Sequence, residues 1–294
     1  MIGLDIGATK TLGVALDERG GVVARALQNT EPGADGVIRT AARVVAALAG
    51  SSDARSPVGV GVPGVVDTVR GLVSHAVNLG IDGVPVALGG RLGEAVGRRV
   101  VLENDVNAAA LGVAALTGAT DLAYLGIGTG LAAGLVVDGR LRRGARGAAG
   151  EIGHVSVDPA GLPCACGQLG CLETIASGSA LATAWPTHGP APAQALHAAV
   201  VAGDERALVV WRAFADGIAQ AVTVLALGVD PDVVVLGGGV ADLGEPLREV
   251  VVAALQRRAA DSPFVASLDL PARVTLAQTG APVAAIGAAL LGGR

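Results

Sequence analysis

The chain has 294 residues, is 51% hydrophobic and only 2% aromatic, and carries a formal net charge of −5. That length and apolar content can build one large or two medium domains, with a core of Val, Leu, Ala and Ile rather than of rings. A mildly acidic balance without a basic run argues against nucleic acid as a main partner. No apolar stretch is expected to reach the roughly 18 residues of a membrane span. The start, MIGLDIG, lacks the basic region and cleavage site of a signal peptide, so a cytoplasmic protein with reduced thiols is expected.

The pattern predicts a strand over Met1–Ile6, a glycine turn at Gly7-Ala8-Thr9-Lys10, and a second strand over Thr11–Leu16 that ends at Asp17-Glu18-Arg19-Gly20. Backbone N–H groups in such a turn can face an anion. Asp5, at the end of the first strand, is placed to hold Mg²⁺ directly or through water. Lys10 is the only lysine of the chain. A solvated hairpin with an incidental lysine is the plain alternative. Val37–Leu48 has helix-forming composition, and Val58–Val62 reads as a buried strand leading into Pro63-Gly64. Val77-Asn78-Leu79-Gly80 falls in a loop, where Asn78 suits a surface turn. Val100–Leu102 is a short strand running into Glu103-Asn104-Asp105-Val106-Asn107 and a helix over Ala108–Leu116. Asp105 at that junction is an N-cap or first-turn acid.

The hairpin recurs. Ile127–Arg140 repeats the pattern of Ile6–Arg19, with Ile, Gly, Gly, Asp and Arg at equivalent places, and Gly64-Val65-Val66-Asp67 parallels Gly239-Val240-Ala241-Asp242. These landmarks stand further apart in the second copy. Two related α/β halves are therefore expected, the second enlarged by an insertion. Gly126 stands at the place of Asp5, so only the first copy carries the carboxylate for a metal.

All three cysteines, Cys164, Cys166 and Cys171, fall inside the enlarged interval, within Glu151–Gly178, and His154 precedes them. Three thiols and an imidazole form a soft four-ligand set suited to tetrahedral zinc. Gly161, Pro163, Gly167 and Gly170 supply the tight turns such spacing needs. Three buried thiols beside a chance histidine is the alternative; a disulfide would leave an odd thiol, and Cys-Xaa-Cys closes a strained ring. A structural zinc with four protein ligands leaves no open position for chemistry. Ile175–Gly178 opens a further helical stretch, Thr183–Pro192 reads as a loop, and Asp204–Leu227 as helices. His188 and His197 read as surface residues. Asp232–Leu236 is a buried strand ending in Gly237-Gly238-Gly239, a glycine run that on its own is a flexible turn. Glu245–Ala260 and Pro282–Leu291 look helical.

Glu151-Xaa-Gly-His154 followed by Cys164-Xaa-Cys-Gly-Xaa-Xaa-Gly-Cys171-Xaa-Glu173 resembles the signature of the ROK family (repressor, open reading frame, kinase). Asp5-Ile-Gly-Ala-Thr-Lys10 is similar to that family's first phosphate motif, with Ala8 in place of a glycine. Gly128-Thr129-Gly130 is similar to the second, with Ala132 and Ala133 where glycines are usual. The resemblance implies a duplicated actin-like, hexokinase-type (ribonuclease H-like) two-domain α/β fold with a zinc-bearing insertion in the second domain. A small N-terminal domain over 1–107 would have the final helix, 282–294, packed back on it, with a large domain over 108–281. It implies ATP-dependent phosphorylation of a hexose at the 6-hydroxyl, glucose first, with N-acetylglucosamine, N-acetylmannosamine or fructose as alternatives. Asp5, Gly7, Thr9, Lys10, Gly128, Thr129 and Gly130 would hold phosphates, with Mg²⁺ accompanying ATP. Gly237, Gly238 and Gly239 would lie against the adenosine, and Asp105 would be the catalytic base. Gly64, Asn78, Asn104, Asp105, Glu151, His154 and Glu173 would meet the sugar. His154 would serve twice, one ring nitrogen on zinc and the other on a sugar oxygen. A homodimer or homotetramer is the assembly this implies. A non-catalytic sugar-binding regulator is the other reading. Regulators of the family carry an N-terminal helix-turn-helix domain, for which the position of the first hairpin is expected to leave no room.

Overall fold

The computed structural model describes residues 1–53, 55–187 and 191–292. His188 lies outside them, as does part of the loop expected over Thr183–Pro192. The chain divides into two compact units, Met1–Thr120 with Asp138–Ala148 and Ala281–Arg294, and Asp121–Val137 with Ala149–Gly280.

The first unit contains strands β1 (Ile2–Ile6), β2 (Lys10–Leu16), β3 (Val22–Asn29), β4 (Val58–Val62), β5 (Val65–Asp67), β6 (Leu72–Ser74) and β7 (Val100–Asn104), with helices α1 (Ala34–Leu48), α2 (Leu88–Val96) and α3 (Asp105–Thr117). The main sheet runs β3-β2-β1-β4-β7. Its first three strands form an antiparallel meander, and β1, β4 and β7 are parallel. β4 is buried at every position and β1 at all but Asp5, as expected for central strands covered on both faces. On one face lies α1, whose Val37, Ala41, Val44, Val45 and Leu48 recur at helical spacing and are buried.

The chain passes to the second unit at β8 (Leu122–Ile127) and β9 (Leu131–Val137), and a two-residue strand, β10 (Arg140–Leu141), lies in the returning segment of the first. The second unit then holds α4 (Glu173–Ala176), α5 (Gly178–Ala184), α6 (Pro192–Val201), α7 (Glu205–Val229), β11 (Val233–Gly237), α8 (Glu245–Ala260), α9 (Pro263–Ser267), α10 (Leu270–Arg273) and β12 (Val274–Leu276). The last helix, α11 (Val283–Leu291), belongs to the first unit.

α11 packs on the first unit's sheet and on α3, with glycines at the points of closest approach. A methyl at Gly3 would fall 2.0 Å from the carbonyl oxygen of Ala285, and one at Gly59 1.7 Å from that of Ala288. At the helix crossing, a methyl on Gly112 would meet Val283 O at 1.9 Å, and one on Gly287 would meet Ala108 O at 1.8 Å. This packing draws the whole of α3 into the first unit. The first segment accordingly runs to Thr120 rather than to the expected 107, and 138–148 returns to it.

In the second unit β9 pairs antiparallel with β8, and β8, β11 and β12 are parallel, the same directions as β2, β1, β4 and β7. The duplication is therefore structural, with two corrections to the sequence alignment. Ile6 pairs with Thr11 but Ile127 pairs with Leu131, so the second turn is one residue shorter and β9 is displaced by one. Val65–Asp67 is a strand whereas Ala241–Leu243 is a 3-10 turn, so those short matches are not equivalent elements.

α7 is one helix of 25 residues, capped by Asp204 through Ala207 N–H. By length and composition it could cross a membrane, contrary to the expectation that no stretch would. Its Trp211, Phe214, Ile218, Val222 and Leu225 pack in the second unit's core, with Leu247 and Val251 of α8. His197, read as a surface residue, is half-buried with its ring 5.9 Å from that of Trp211.

Candidate functional site

Within the first unit the segments that follow β1, β4 and β7 meet at the carboxyl ends of those parallel strands. A methyl at Gly61 of β4 would lie 3.2 Å from Ala108 Cβ and 3.5 Å from Asp105 Cα, so this glycine admits the first turn of α3 beside β1. Asp5 and Asp105 thus come together. Burial, and then the charge of Asp105, raise the Asp5 carboxyl from its ordinary range to about 7. Asp105 is the first residue of α3 but not its cap. Asn104 is the cap, its Oδ1 accepting from Val106 N–H at 2.9 Å and Asn107 N–H at 3.2 Å, while its Nδ2 donates to Gly64 O at 3.2 Å. The Asp105 carboxylate accepts from Val106 N–H at 2.9 Å.

Beneath this junction lies a pair that sequence reasoning missed. Glu103, 1% exposed, accepts from Asn104 N–H at 3.0 Å and Asn107 Nδ2 at 3.1 Å, and Arg143 donates to its Oε2 at 2.6 Å. The Glu103/Asn107 spacing was the one available signal; the arginine is remote in sequence. Gly64 holds a left-handed φ of 96°, and a methyl there would meet Ser74 O at 2.6 Å. Asn78 is exposed in a 3-10 turn rather than in irregular loop. In the first hairpin turn Gly7 N–H donates to Lys10 O at 2.9 Å, and Thr9 and Lys10 are exposed.

The raised Asp5 carboxyl carries a testable consequence. Its proton is held more tightly folded than unfolded, so its stabilising contribution is complete below pH 4 and is lost as pH rises through about 7. Asp5→Asn, which keeps the neutral form at all pH values, is expected to raise Tm by a few °C at pH 8 in magnesium-free buffer and to change it little at pH 4. Melting curves between pH 4 and 8 that stay parallel for the two proteins would contradict this.

In the second unit the ligand atoms of His154, Cys164, Cys166 and Cys171 all lie within 4.8 Å of one another. His154 Nδ1 is 3.7 Å from Cys164 Sγ, and Cys166 and Cys171 Sγ are 3.6 Å apart. A tetrahedron with Zn–S bonds of about 2.3 Å has edges of about 3.8 Å, so the donor set fits zinc, with Nδ1 as the histidine ligand. Gln168, also unforeseen, donates through Nε2 to His154 O at 3.1 Å and to Cys166 Sγ at 3.4 Å. Gln168 lowers the Cys166 thiol to about 6, whereas burial raises Cys171 to about 12. A bound cation overrides the latter, because coordination deprotonates a thiol.

The same unit places this cluster against the Gly128–Gly130 turn. Gly150 and Gly153 bring the Glu151–His154 turn onto β9, where methyls would fall 1.8 Å from Ala133 O and 2.0 Å from Leu131 O. Glu173 Oε2 accepts from Leu131 N–H at 3.1 Å, and its Oε1 lies 4.0 Å from Cys164 Sγ. The carbonyls of Gly128 and Thr129 accept from Gly178 N–H at 2.7 Å and Ser179 N–H at 3.2 Å, at the start of α5. Gly237 ends β11, and Gly238 turns with a φ of 82°. Glu151 is exposed.

The family model described as ROK family matches residues 1–293. A glucokinase of Thermotoga maritima is 35% identical over 278 residues, 86% of this chain and 87% of that protein. A glucokinase of Halalkalibacterium halodurans is 37% identical over 210 residues, and the match spans 65% of this chain but only 63% of that relative's length. An N-acetyl-D-glucosamine kinase of Citrobacter koseri is 32% identical over 256 residues, 82% and 84% of the two chains. A solved ROK family glucokinase of Streptomyces griseus, in complex with glucose and AMPPNP, superposes with a TM-score of 0.80 at 32% identity, covering 99% of this chain and 98% of that one.

Proposed function

We propose, since this chain belongs to the ROK family, that it is an ATP-dependent hexose kinase that phosphorylates the 6-hydroxyl, with glucose as preferred sugar. The observation that carries the reading is the placement of Asp105, in the first turn of α3, beside the end of β1 that bears Asp5, an approach that Gly61 admits. Phosphoryl transfer needs held phosphates, neutralised charge and an oriented hydroxyl with a base near its proton. Asp105 takes the proton of the sugar hydroxyl as its oxygen bonds to the γ-phosphorus and the bond to the β-bridging oxygen breaks, releasing ADP. Asp5 holds Mg²⁺, which when bound neutralises phosphate charge.

In the first unit Gly7, Thr9 and Lys10 face the phosphates, and Gly64, Asn78 and Asn104 the sugar. In the second, Gly128, Thr129 and Gly130 face the phosphates, Gly237 to Gly239 the adenosine, and Glu151, Glu173 and the outward nitrogen of His154 the sugar. With Nδ1 given to zinc, Nε2 is the histidine's remaining donor, and the ion fixes that tautomer.

Glucose is preferred because Glu151, His154 and Glu173 are polar partners for hydroxyls at carbons 1 and 2, whereas an acetamido group needs an apolar patch. Leaving a hydrogen bond unmet costs roughly 1–3 kcal/mol. kcat/KM for glucose is expected to exceed that for N-acetylglucosamine and N-acetylmannosamine by at least about tenfold in a coupled ADP assay. An acetylated sugar that wins would keep the kinase and overturn the glucose preference. Sugar binding without ADP formation would instead support a regulator.

A further inference from the structure

The chain is nearly free of aromatic residues, and its one tyrosine, Tyr124, lies buried on β8 at 6% exposure. A phenol in that position needs a polar partner for its oxygen. It finds one in the glycine run. Gly238 N–H donates to Tyr124 Oη at 3.1 Å. The ring lies against Gly237 so closely that a methyl there would fall 2.2 Å from Oη and 2.3 Å from Cζ. Tyr124 pairs with Val235 across β8 and β11, and Gly237 stands two residues further along, on the same sheet face.

The loop is thereby fixed at both ends. Tyr124 Oη holds the amide of the left-handed Gly238, and Ile127 O accepts from Val240 N–H at 3.0 Å. A methyl on Gly238 would come within 2.6 Å of the same carbonyl. Ile127 is the residue before the Gly128–Gly130 turn. One strand, β8, thus carries the tyrosine that sets the glycine run and leads directly into the phosphate turn.

We propose that Tyr124 is a positioning residue for nucleotide binding. Its hydroxyl sets the height and direction of the Gly237–Gly239 backbone against the adenosine, without touching the ligand. The proposal rests on the kinase reading, which assigns that loop to the nucleotide. The proton-bearing chemistry and the sugar ligands stand elsewhere, so the expected signature is selective.

Tyr124→Phe removes one oxygen, keeps the ring over Gly237, and leaves the Gly238 amide without its phenol partner. Calorimetric titration with ADP is expected to show about fivefold weaker binding, in the range a single hydrogen bond commands. KM for ATP should rise by a similar factor, with kcat and glucose KM within about twofold of native. Native protein that binds no nucleotide would sink the kinase reading itself. Native protein that binds nucleotide while Tyr124→Phe binds it equally well would overturn the proposal and leave that reading intact. A lowered Tm with unchanged ADP affinity counts against the proposal too, since it assigns the hydroxyl to the core alone. Should Tyr124→Phe fail to fold, Gly238→Ala decides. It disturbs the same turn from the other side and is expected to weaken ADP binding at least as much while sparing glucose binding; unchanged ADP binding in that variant would overturn the proposal.

Discussion

Asp105→Asn is expected to lower kcat by at least about 10²-fold, the contribution typical of a positioned general base. The size of the side chain is unchanged, and what is lost is its negative charge and with it the capacity to accept a proton. The helix should survive, because Asn104 rather than Asp105 caps α3. The strand entering the helix should survive as well, held by Glu103 with Asn104, Asn107 and Arg143. Nucleotide affinity is expected to stay near native. A second readout follows from the electrostatics. The charge of Asp105 is one of the two causes that raise Asp5, so neutralising it should move the Asp5 titration down from about 7, burial still holding it above an ordinary aspartate. Single-turnover rates and the pH dependence of stability are the two measurements. Near-normal turnover in the variant would leave Asp105 a first-turn acid with no part in the chemistry.

The parts of this site that sequence revealed are those written in contiguous residues. The turn after β1, the Glu103–Asn107 run and the cysteine cluster each carry their chemistry within a few positions. Choices between neighbours were harder. Asn104 and Asp105 are both favoured caps, and only the backbone geometry, extended at Asn104, decides for the asparagine. The register of the second hairpin differs by one residue from the first, which no matching of letters could show when both turns are so short. Partners distant in the chain were invisible. Arg143 meets Glu103, and Tyr124 meets Gly238, only through tertiary packing. The edge strand β3 and the short helix α2 were also passed over. β3 carries Val23 and Leu27 on its exposed face, which blurs the alternation of a strand, and α2 spends Gly89, Gly90 and Gly93 of its nine residues on the weakest ordinary helix former.

Metal removal should weaken glucose binding by at least about tenfold, the scale on which disturbing a site's supporting shell acts. The purified protein is expected to carry about one zinc per chain, and Cys166→Ala is expected to lose both the metal and the sugar affinity. The reason lies in how much of the site leans on the cluster. His154 takes its ring orientation from Nδ1, and Gln168 ties the same turn to the thiols through His154 O. Glu173 stands between the cluster and the second hairpin, near Cys164 on one side and bound to Leu131 N–H on the other. A methyl on Gly130 would come within 2.4 Å of the Glu173 carboxylate. Without an ion to bind, three thiols and a histidine would share no centre, and the turns from Gly161 to Gly170 would lose the constraint expected to gather them. The residues proposed to meet the sugar should therefore loosen first and the Gly128–Gly130 turn second, through Glu173. Chelated protein should show a larger fall in glucose affinity than in ADP affinity, and readdition of zinc should restore both. Elemental analysis finding no zinc in active protein purified without chelator would refute this. Equal loss of both affinities together with a collapsed near-ultraviolet circular dichroism signal would assign the metal to global folding instead of to the sugar loop.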